Sequence, residues 1–487
     1  MTPPPPPAQK PETTLRGGGW TIVSRIYVQL IQFAIFIVAA RLMLPEEFGL
    51  FALVAAFIVI LNQLATAGWP EYILQCEGDT EKIRKSLLVA LLSGLLATII
   101  GVVLSLLSGL VTDAPLARLV GQVLALSILF ASLGAAYSGA LNQQNRLSSA
   151  ALSVVAGETL NFAVAIWALY QGYGVLALAW GRLANSFTWC CAAAFATRLY
   201  PARQIERPQF LEMAHFSKHI IATRILVNLR IYAATFLIGG FVGAAAVGFF
   251  RAGQRIVAGF EEIVSEPTRV LAWNLFRKAR DNNANTNSVA QTSQIFFRLQ
   301  IYGAAPLFVG IAVLADDLTE GLLGSEWSSA APVLQILALA GLIRMSGHAT
   351  IPIISLAGRA EMLPRLMFVY SVISITCIAI GSRYGIVATA AAELCAASIA
   401  FVINAVVMSR HFSIHWVQIL KRSWQVIPST IIALVFPFIA LHFGLLAELH
   451  PLARFFVLSL SILILYVPCL LILDTSLKRT IQAQLPS

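Results

Sequence analysis

Between residues 251 and 269 the chain places Arg251, Arg255, Glu262, Glu266 and Arg269 on an otherwise apolar stretch. At about 100° per residue these five fall within an arc of about 60° on one helix face, over about 27 Å of helix. Arginines so arrayed can take phosphate oxygens in bidentate pairs. Two readings of the stripe stand side by side: the polar wall of a watery cavity, or a self-neutralising ladder packed against another helix. A shorter polar face holds Arg25, Gln29 and Gln32, and Arg224 with Asn228 repeats it. Arg25, Arg224, Arg251 and Arg255 are therefore the candidates for holding an anionic group, with Gln29, Gln32, Asn228, Glu262, Glu266 and Arg269 as polar lining. Arg25 and Arg224 lie within about two turns of a helix end, so reaching back to the lipid headgroups is the competing explanation for both.

Other charges look like partners for one another. Arg230 and Glu393 come out at similar depth, about 19 and 18 Å from one end of their helices, and Glu158 and Arg182 at about 15 and 18 Å. Each is expected to form an ion pair inside its own half of the protein, with proton coupling as the less ordinary use. Arg344 and His348 read as a pair reaching toward the inner surface. Cys76, Cys190, Cys191, Cys377, Cys395 and Cys469 show no CxxC spacing and read as small apolar fillers. His411 and His415 stand beside Lys421 and Arg422, which favours a solvated face over a metal site.

The elements that must carry these groups follow from composition. Of 487 residues 58% are hydrophobic and 11% charged, with a mean hydropathy of +0.79, where soluble chains run to roughly 25% charged. A soluble enzyme is excluded, and the formal charge of +10 does not point to nucleic acid. Apolar runs long enough to cross about 30 Å of hydrocarbon number about fourteen. Short loops join them, leaving no soluble domain for a separate active site. All seven lysines (Lys10, Lys82, Lys85, Lys218, Lys278, Lys421 and Lys478) fall in loops assigned to the cytoplasm, and the outer loops hold only Arg41, Arg118, Arg383 and Arg454 as bases. Both termini are then cytoplasmic. The Pro3 to Pro7 run marks residues 1–16 as an unpacked tail.

The sequence also repeats. Arg25-Ile26 falls on Arg224-Ile225, Val28 on Val227, Gly49 on Gly248 and Phe51 on Phe250, and further on Tyr173-Gly174 matches Tyr384-Gly385. Each repeat holds an even number of spans, so the two are parallel, about a pseudo-two-fold axis along the membrane normal. The expected layout is an N-lobe over 17–205, a C-lobe over 206–412, and two additional helices within 413–487.

The Gly17-Gly18-Gly19-Trp20 start, Arg25, the turn from Leu44 to Phe51 and the stretch from Gly248 to Arg255 resemble bacterial polysaccharide flippases. These are the Wzx-type transporters of the multidrug/oligosaccharidyl-lipid/polysaccharide exporter superfamily. The resemblance covers roughly residues 17–410. It implies an all-α polytopic membrane protein with two six-helix lobes in a V around a central cavity. It also implies non-enzymatic alternating access that carries an undecaprenyl-diphosphate-linked oligosaccharide across the bacterial inner membrane, from the cytoplasmic to the periplasmic leaflet. A proton gradient, a sodium gradient and the membrane potential are all compatible as the driving force, and no metal or other cofactor is expected. The expected partners are the lipid-linked substrate, the bilayer, and a polysaccharide polymerase with other assembly proteins; the protein itself is expected to be a monomer. Three rivals stand against this: a multidrug exporter, a peptidoglycan-precursor flippase, and a membrane polymerase or ligase. The exporter would favour acids in the first lobe. The enzyme would need a larger outer loop than the one around 315–328, whose Asp316, Asp317, Glu320 and Glu326 read as a solvated acidic surface.

Overall fold

The structure, a computed structural model, describes residues 11–66, 68–76, 78–111, 115–281 and 286–474. Residues 1–10 of the proline-rich tail and 475–487 at the other end lie outside the described residues, whereas 11–16 are helical. Helices account for the architecture, as bilayer-spanning sequence requires when every backbone polar group must be satisfied within the chain. They are α1 (Pro11–Leu42), α2 (Pro45–Thr66), α3 (Trp69–Leu74), α4 (Thr80–Val111), α5 (Pro115–Gln143), α6 (Leu147–Tyr170), α7 (Val175–Thr197), α8 (Arg207–Phe241) and α9 (Ala244–Asp281). There follow α10 (Thr286–Val313), α11 (Ala315–Leu323), α12 (Ala331–Met345), α13 (Thr350–Leu356), α14 (Met362–Gly381), α15 (Ile386–Phe412), α16 (Trp416–Arg422), α17 (Val426–His442) and α18 (Pro451–Leu473).

Among the described residues 11 spans are long and apolar enough to cross a membrane, or 12 when α16 and α17, bent by 48°, count as one. The expected about fourteen is not reached by apolarity alone. Helices do form at all the expected places, but α7 and α9 carry too much polar sequence to qualify. For α9 the cause is the charged stripe itself.

The chain folds as two compact units that divide within α8, between Tyr232 and Ala233. In the first, α1, α2, α5, α6 and α7 share a core built on Ala39, Ile58, Leu124, Ala165 and Leu178. A second cluster joins α3, α4 and α5 to Met213 of α8. Small residues set the approach of α6 and α7, as is common between membrane helices. A Cβ at Gly157 would come within 3.0 Å of the Asn185 carbonyl oxygen. In the second unit α9, α10, α13, α15 and α16 enclose Phe276, Phe297, Ile353, Phe412 and Ile419.

The repeat read from sequence has a structural counterpart in turn geometry. Gly174 caps α7 and Gly385 caps α15, both at positive φ (52° and 101°), a backbone region in which a Cβ is strained.

The two added helices are tied firmly to the second unit. Arg454 near the start of α18 pairs with Asp317 of α11. At the other end, Asp474 accepts from Arg298 Nη2 at 2.6 Å and from the Tyr302 hydroxyl at 2.5 Å, both on α10. Asp316, Glu320 and Glu326 are exposed, as expected of a solvated acidic surface, but Asp317 is 3% exposed: α11 turns that one carboxylate inward to meet Arg454.

Candidate functional site

The most elaborated polar region of the first unit begins at a broken helix. After Thr66 the chain cannot continue α2, because Gly68 adopts a left-handed conformation (φ 80°) and Pro70 opens α3. A side chain at Gly68 would also meet Ile220 Cδ1 at 2.9 Å. The break frees carbonyls, and an unpaired carbonyl inside a membrane protein is costly. The Ala65 carbonyl oxygen is collected by Trp69 Nε1 (3.0 Å), Ser93 Oγ (2.7 Å) and Ser132 Oγ (3.1 Å). Pro70 seats on Gly139 of α5, where a Cβ would lie 2.8 Å from the proline Cα. The Tyr72 ring stacks edge-on against Phe216 of α8, and its hydroxyl donates to Glu212.

The result of this scaffolding is the position of Glu71. Its Oε1 receives Arg224 Nη2 at 2.5 Å, while Arg224 Nη1 donates to Thr66 Oγ1 at 3.1 Å. Arg224 also lines a pocket of about 440 Å³, whose other polar lining residues are Asn62, Gln63, Thr66, Thr223 and Asn228. Asn228 donates to the Arg224 carbonyl (2.8 Å), one helical turn below. Arg224 and Asn228 both line this pocket. Arg224 does not reach it as an uncompensated cation, because Glu71, outside the candidate set, answers its charge. The signal for Glu71 was available in the Gly-Trp-Pro-Glu stretch, which breaks the helix at the end of an apolar run. Arg25 and Gln29 on α1 are exposed.

The expected ion pair of Glu158 with Arg182 is not formed. Glu158 is 5% exposed and accepts from two amides, Gln32 Nε2 and Asn161 Nδ2, each at 2.9 Å. Arg182 is exposed. Depth alone misled here. Gly181 lies against Asn161 so closely that a Cβ would stand 2.5 Å from its Oδ1, and the next residue is turned about 100° away from that interface. Gln32, expected to line a cavity, instead serves the buried carboxylate.

In the second unit Glu393 pairs with Arg344, the Nη1 to Oε1 distance being 2.9 Å, and also accepts from Gln254 Nε2 at 3.3 Å. The base expected to answer it was Arg230. Arg344 also holds Glu261 Oε1 through Nε (3.0 Å) and Nη2 (2.7 Å), so one guanidinium bridges α9 and α15 from α12. This replaces the reading of Arg344 as a side chain reaching for the surface. The packing that permits it is Gly341, where a Cβ would crowd Glu261 Oε1 at 2.8 Å. Glu261 was missed because it sits one residue off the charged stripe. That single step turns it toward α12 and leaves Glu262 exposed. Arg251 and Arg255 on the stripe are half-buried, and Arg251 Nη1 donates to Gln254 Oε1 at 3.1 Å. The side chains of Glu266 and Arg269 lie outside the described residues.

Buried charge, broken helices and a polar pocket within spanning sequence suit a carrier of polar cargo, and residues 38–332 match the family model described as polysaccharide biosynthesis protein. The chain belongs to that family. Among polysaccharide biosynthesis proteins it is 24% identical over 451 residues to the succinoglycan biosynthesis transport protein ExoT of Rhizobium meliloti, covering 89% of this chain and 88% of that one. It is 23% identical over 352 residues to the lipopolysaccharide biosynthesis protein WzxC of Escherichia coli, covering 69% and 68%. Its fold is that of the lipid II flippase MurJ in an inward closed conformation (TM-score 0.73, 13% identity, 94% and 99% of the chains covered). An inward-facing multidrug resistance transporter of the MATE family also aligns (TM-score 0.61, 16% identity, 78% and 94% covered).

Proposed function

We propose that this member of the polysaccharide biosynthesis family is a flippase. Its cargo is an undecaprenyl-diphosphate-linked oligosaccharide, the repeat unit of an O-antigen, capsule or exopolysaccharide, carried from the cytoplasmic to the periplasmic leaflet of the bacterial inner membrane. The observation that carries this is the family match across residues 38–332, supported by relatives whose names place them in succinoglycan transport and lipopolysaccharide biosynthesis. Physical reasoning favours the same cargo. A diphosphate and its sugars cannot cross about 30 Å of hydrocarbon unaided, so the protein must offer polar surface at membrane depth while the lipid tail stays in the bilayer.

In this reading Arg25, Arg251 and Arg255 supply the positive charge that meets the diphosphate, with Gln29, Asn228, Glu262, Glu266 and Arg269 as polar surroundings. Arg224, in the first unit, has its charge balanced by Glu71. Alternating access exposes the head group first to one side and then to the other. Both termini are cytoplasmic, the protein acts without catalysis, and a proton or sodium gradient drives the cycle. Glu158, Arg182, Arg230 and Glu393 are the charged groups available for such coupling. A polymerase receives the product. Expression in a capsule- or O-antigen-deficient strain lacking its own flippase tests the reading. Surface polysaccharide is expected to return, without rescue of a strain depleted of its peptidoglycan-precursor flippase; the opposite pattern favours the peptidoglycan precursor.

A further inference from the structure

We infer that the second unit carries a seat for an anionic glycerophospholipid, built on Arg365 of α14 and Arg410 of α15 with Arg359 as a third guanidinium. It goes beyond the flippase reading and does not rest on it. Cations at the end that the lysine distribution assigns to the cytoplasm are used differently in the two units. In the first they serve the fold: Lys85 Nζ lies 3.7 Å from Glu81 and 3.8 Å from Glu206, Arg84 Nε donates to the Tyr200 carbonyl, and Arg146 Nη1 donates to the Ala196 carbonyl. In the second, Arg365 and Arg410 are exposed, and among the described residues neither has a hydrogen bond or an ion pair. Arg359 is held without an acid, its Nη1 2.8 Å from His411 Nδ1 and its guanidinium 5.9 Å from the centre of the Phe412 ring. Glu361 is the acid of this turn, and it too is in no ion pair among the described residues. Three guanidiniums against one carboxylate leave this end positive, with N–H donors to spare for phosphate oxygens.

What lies along the helix behind each arginine points to a lipid rather than a soluble anion. At about 100° per residue Arg365 shares an arc of about 100° with Phe368, Val369 and Val372, and Arg410 an arc of about 80° with Ile399, Val402 and Val406. All six apolar side chains are exposed. On α15, Glu393 meets Arg344 inside the unit and lies about 140° round from the middle of that strip, so the strip faces outward. An exposed, wholly apolar face in spanning sequence is the surface that meets acyl chains. The two helices run antiparallel and pack together, with Gly381 so close that a Cβ would stand 2.7 Å from the Ala388 carbonyl oxygen. Arg365 near the start of α14 and Arg410 near the end of α15 therefore come at one end of the same helix pair. A guanidinium at headgroup level with an apolar strip behind it, on each of two adjoining helices, matches a phosphate head with two acyl chains. A zwitterionic lipid carries its own amine and has no use for the excess charge, and a soluble anion has no use for the strips.

The test uses the purified full-length protein in detergent micelles, with bound lipid counted by native mass spectrometry. The probes are phosphatidylglycerol and phosphatidylethanolamine of matched acyl chains, supplied at equal concentration, and free glycerol phosphate. The wild type is expected to retain phosphatidylglycerol in preference. Arg365→Gln with Arg410→Gln is expected to reduce that preference about thirtyfold, the effect of two basic groups at headgroup level, with phosphatidylethanolamine binding unchanged. Either single variant is expected to reduce it about fivefold, so each decides the matter if the double variant does not fold. Arg203→Gln with Arg207→Gln removes as much exposed charge from the first unit and is expected to leave the preference intact. The inference is overturned if that control lowers the preference as far as the Arg365 and Arg410 pair does, if the pair leaves it intact, or if the wild type holds both lipids alike. It is also overturned if glycerol phosphate binds as tightly as the lipid, the mark of a soluble-anion site, or if polyglutamate displaces the lipid at equal charge, the mark of a protein dock.

Discussion

Replacing Arg344 by Met removes one guanidinium and strands two acids at once. The side chain donates three hydrogen bonds, two to Glu261 and one to Glu393, whose side chains are only 20% and 17% exposed. Removing one member of a buried charge pair costs about 3–5 kcal/mol, because the other charge is left without an answer. Arg344 is itself 33% exposed, so water reaches part of the site and the lower end, about 3 kcal/mol, is expected. For a unit of this size that corresponds to a fall in melting temperature of about 6–12 °C. Thermal unfolding of the purified protein, followed by loss of the monodisperse peak, reads this shift. Adding Glu261→Gln and Glu393→Gln to Arg344→Met is expected to recover most of the loss, since neutral amides no longer demand a base. A shift under about 2 °C for the single variant, well below the cost of an orphaned buried charge, would refute the reasoning. So would a triple variant no more stable than the single one.

Further outcomes follow for other parts of the molecule. Glu158→Leu leaves the amides of Gln32 and Asn161 without an acceptor and is expected to cost about 1–3 kcal/mol, whereas Arg182→Ala stays within about 0.5 kcal/mol; equal costs in a thermal melt would restore the discarded ion pair. Gly181→Ala drives a methyl into Asn161 Oδ1, 2.5 Å away, and is expected to destabilise by about 1–3 kcal/mol through overpacking; an unchanged melting temperature counts against so close an approach of α6 and α7. Asp317→Ala frees the start of α18, so hydrogen exchange by mass spectrometry should accelerate around 451–456, and Asp474→Asn should loosen the opposite end. Uniform protection in both variants would show that neither ion pair holds the helix.

Periodicity and composition made the helices legible, because an apolar run of span length has few alternatives to a helix in a bilayer. They also placed the charged groups within helices. What they could not supply was the angle at which each helix turns toward its neighbour, and the pairings depended on that angle. Glu158 and Arg182 stand at similar depth, yet the contact of Gly181 with Asn161 rotates Arg182 out of the interface. Glu261 and Glu262 are adjacent, and Gly341 selects the first for burial. Arg454 and Asp317 looked like isolated loop charges because α11 was not anticipated as a helix. Glu71 escaped notice for a related reason: it lies where the apolar run ends, and only the fold shows that the helix resumes as α3 after the break and brings a carboxylate to Arg224.

Flippase function stands or falls on translocation. Purified protein in proteoliposomes, loaded on one leaflet with fluorescent undecaprenyl-diphosphate oligosaccharide, reports transfer as the label becomes accessible to a quencher on the other side. The wild type is expected to move the lipid well above protein-free vesicles. A variant combining Arg25→Ala, Arg251→Ala and Arg255→Ala, with an unchanged melting temperature, should be slowed by at least about tenfold, the effect of about 1.4 kcal/mol of lost phosphate binding. Wild-type transfer no faster than protein-free vesicles, or a triple variant as fast as the wild type, would contradict it.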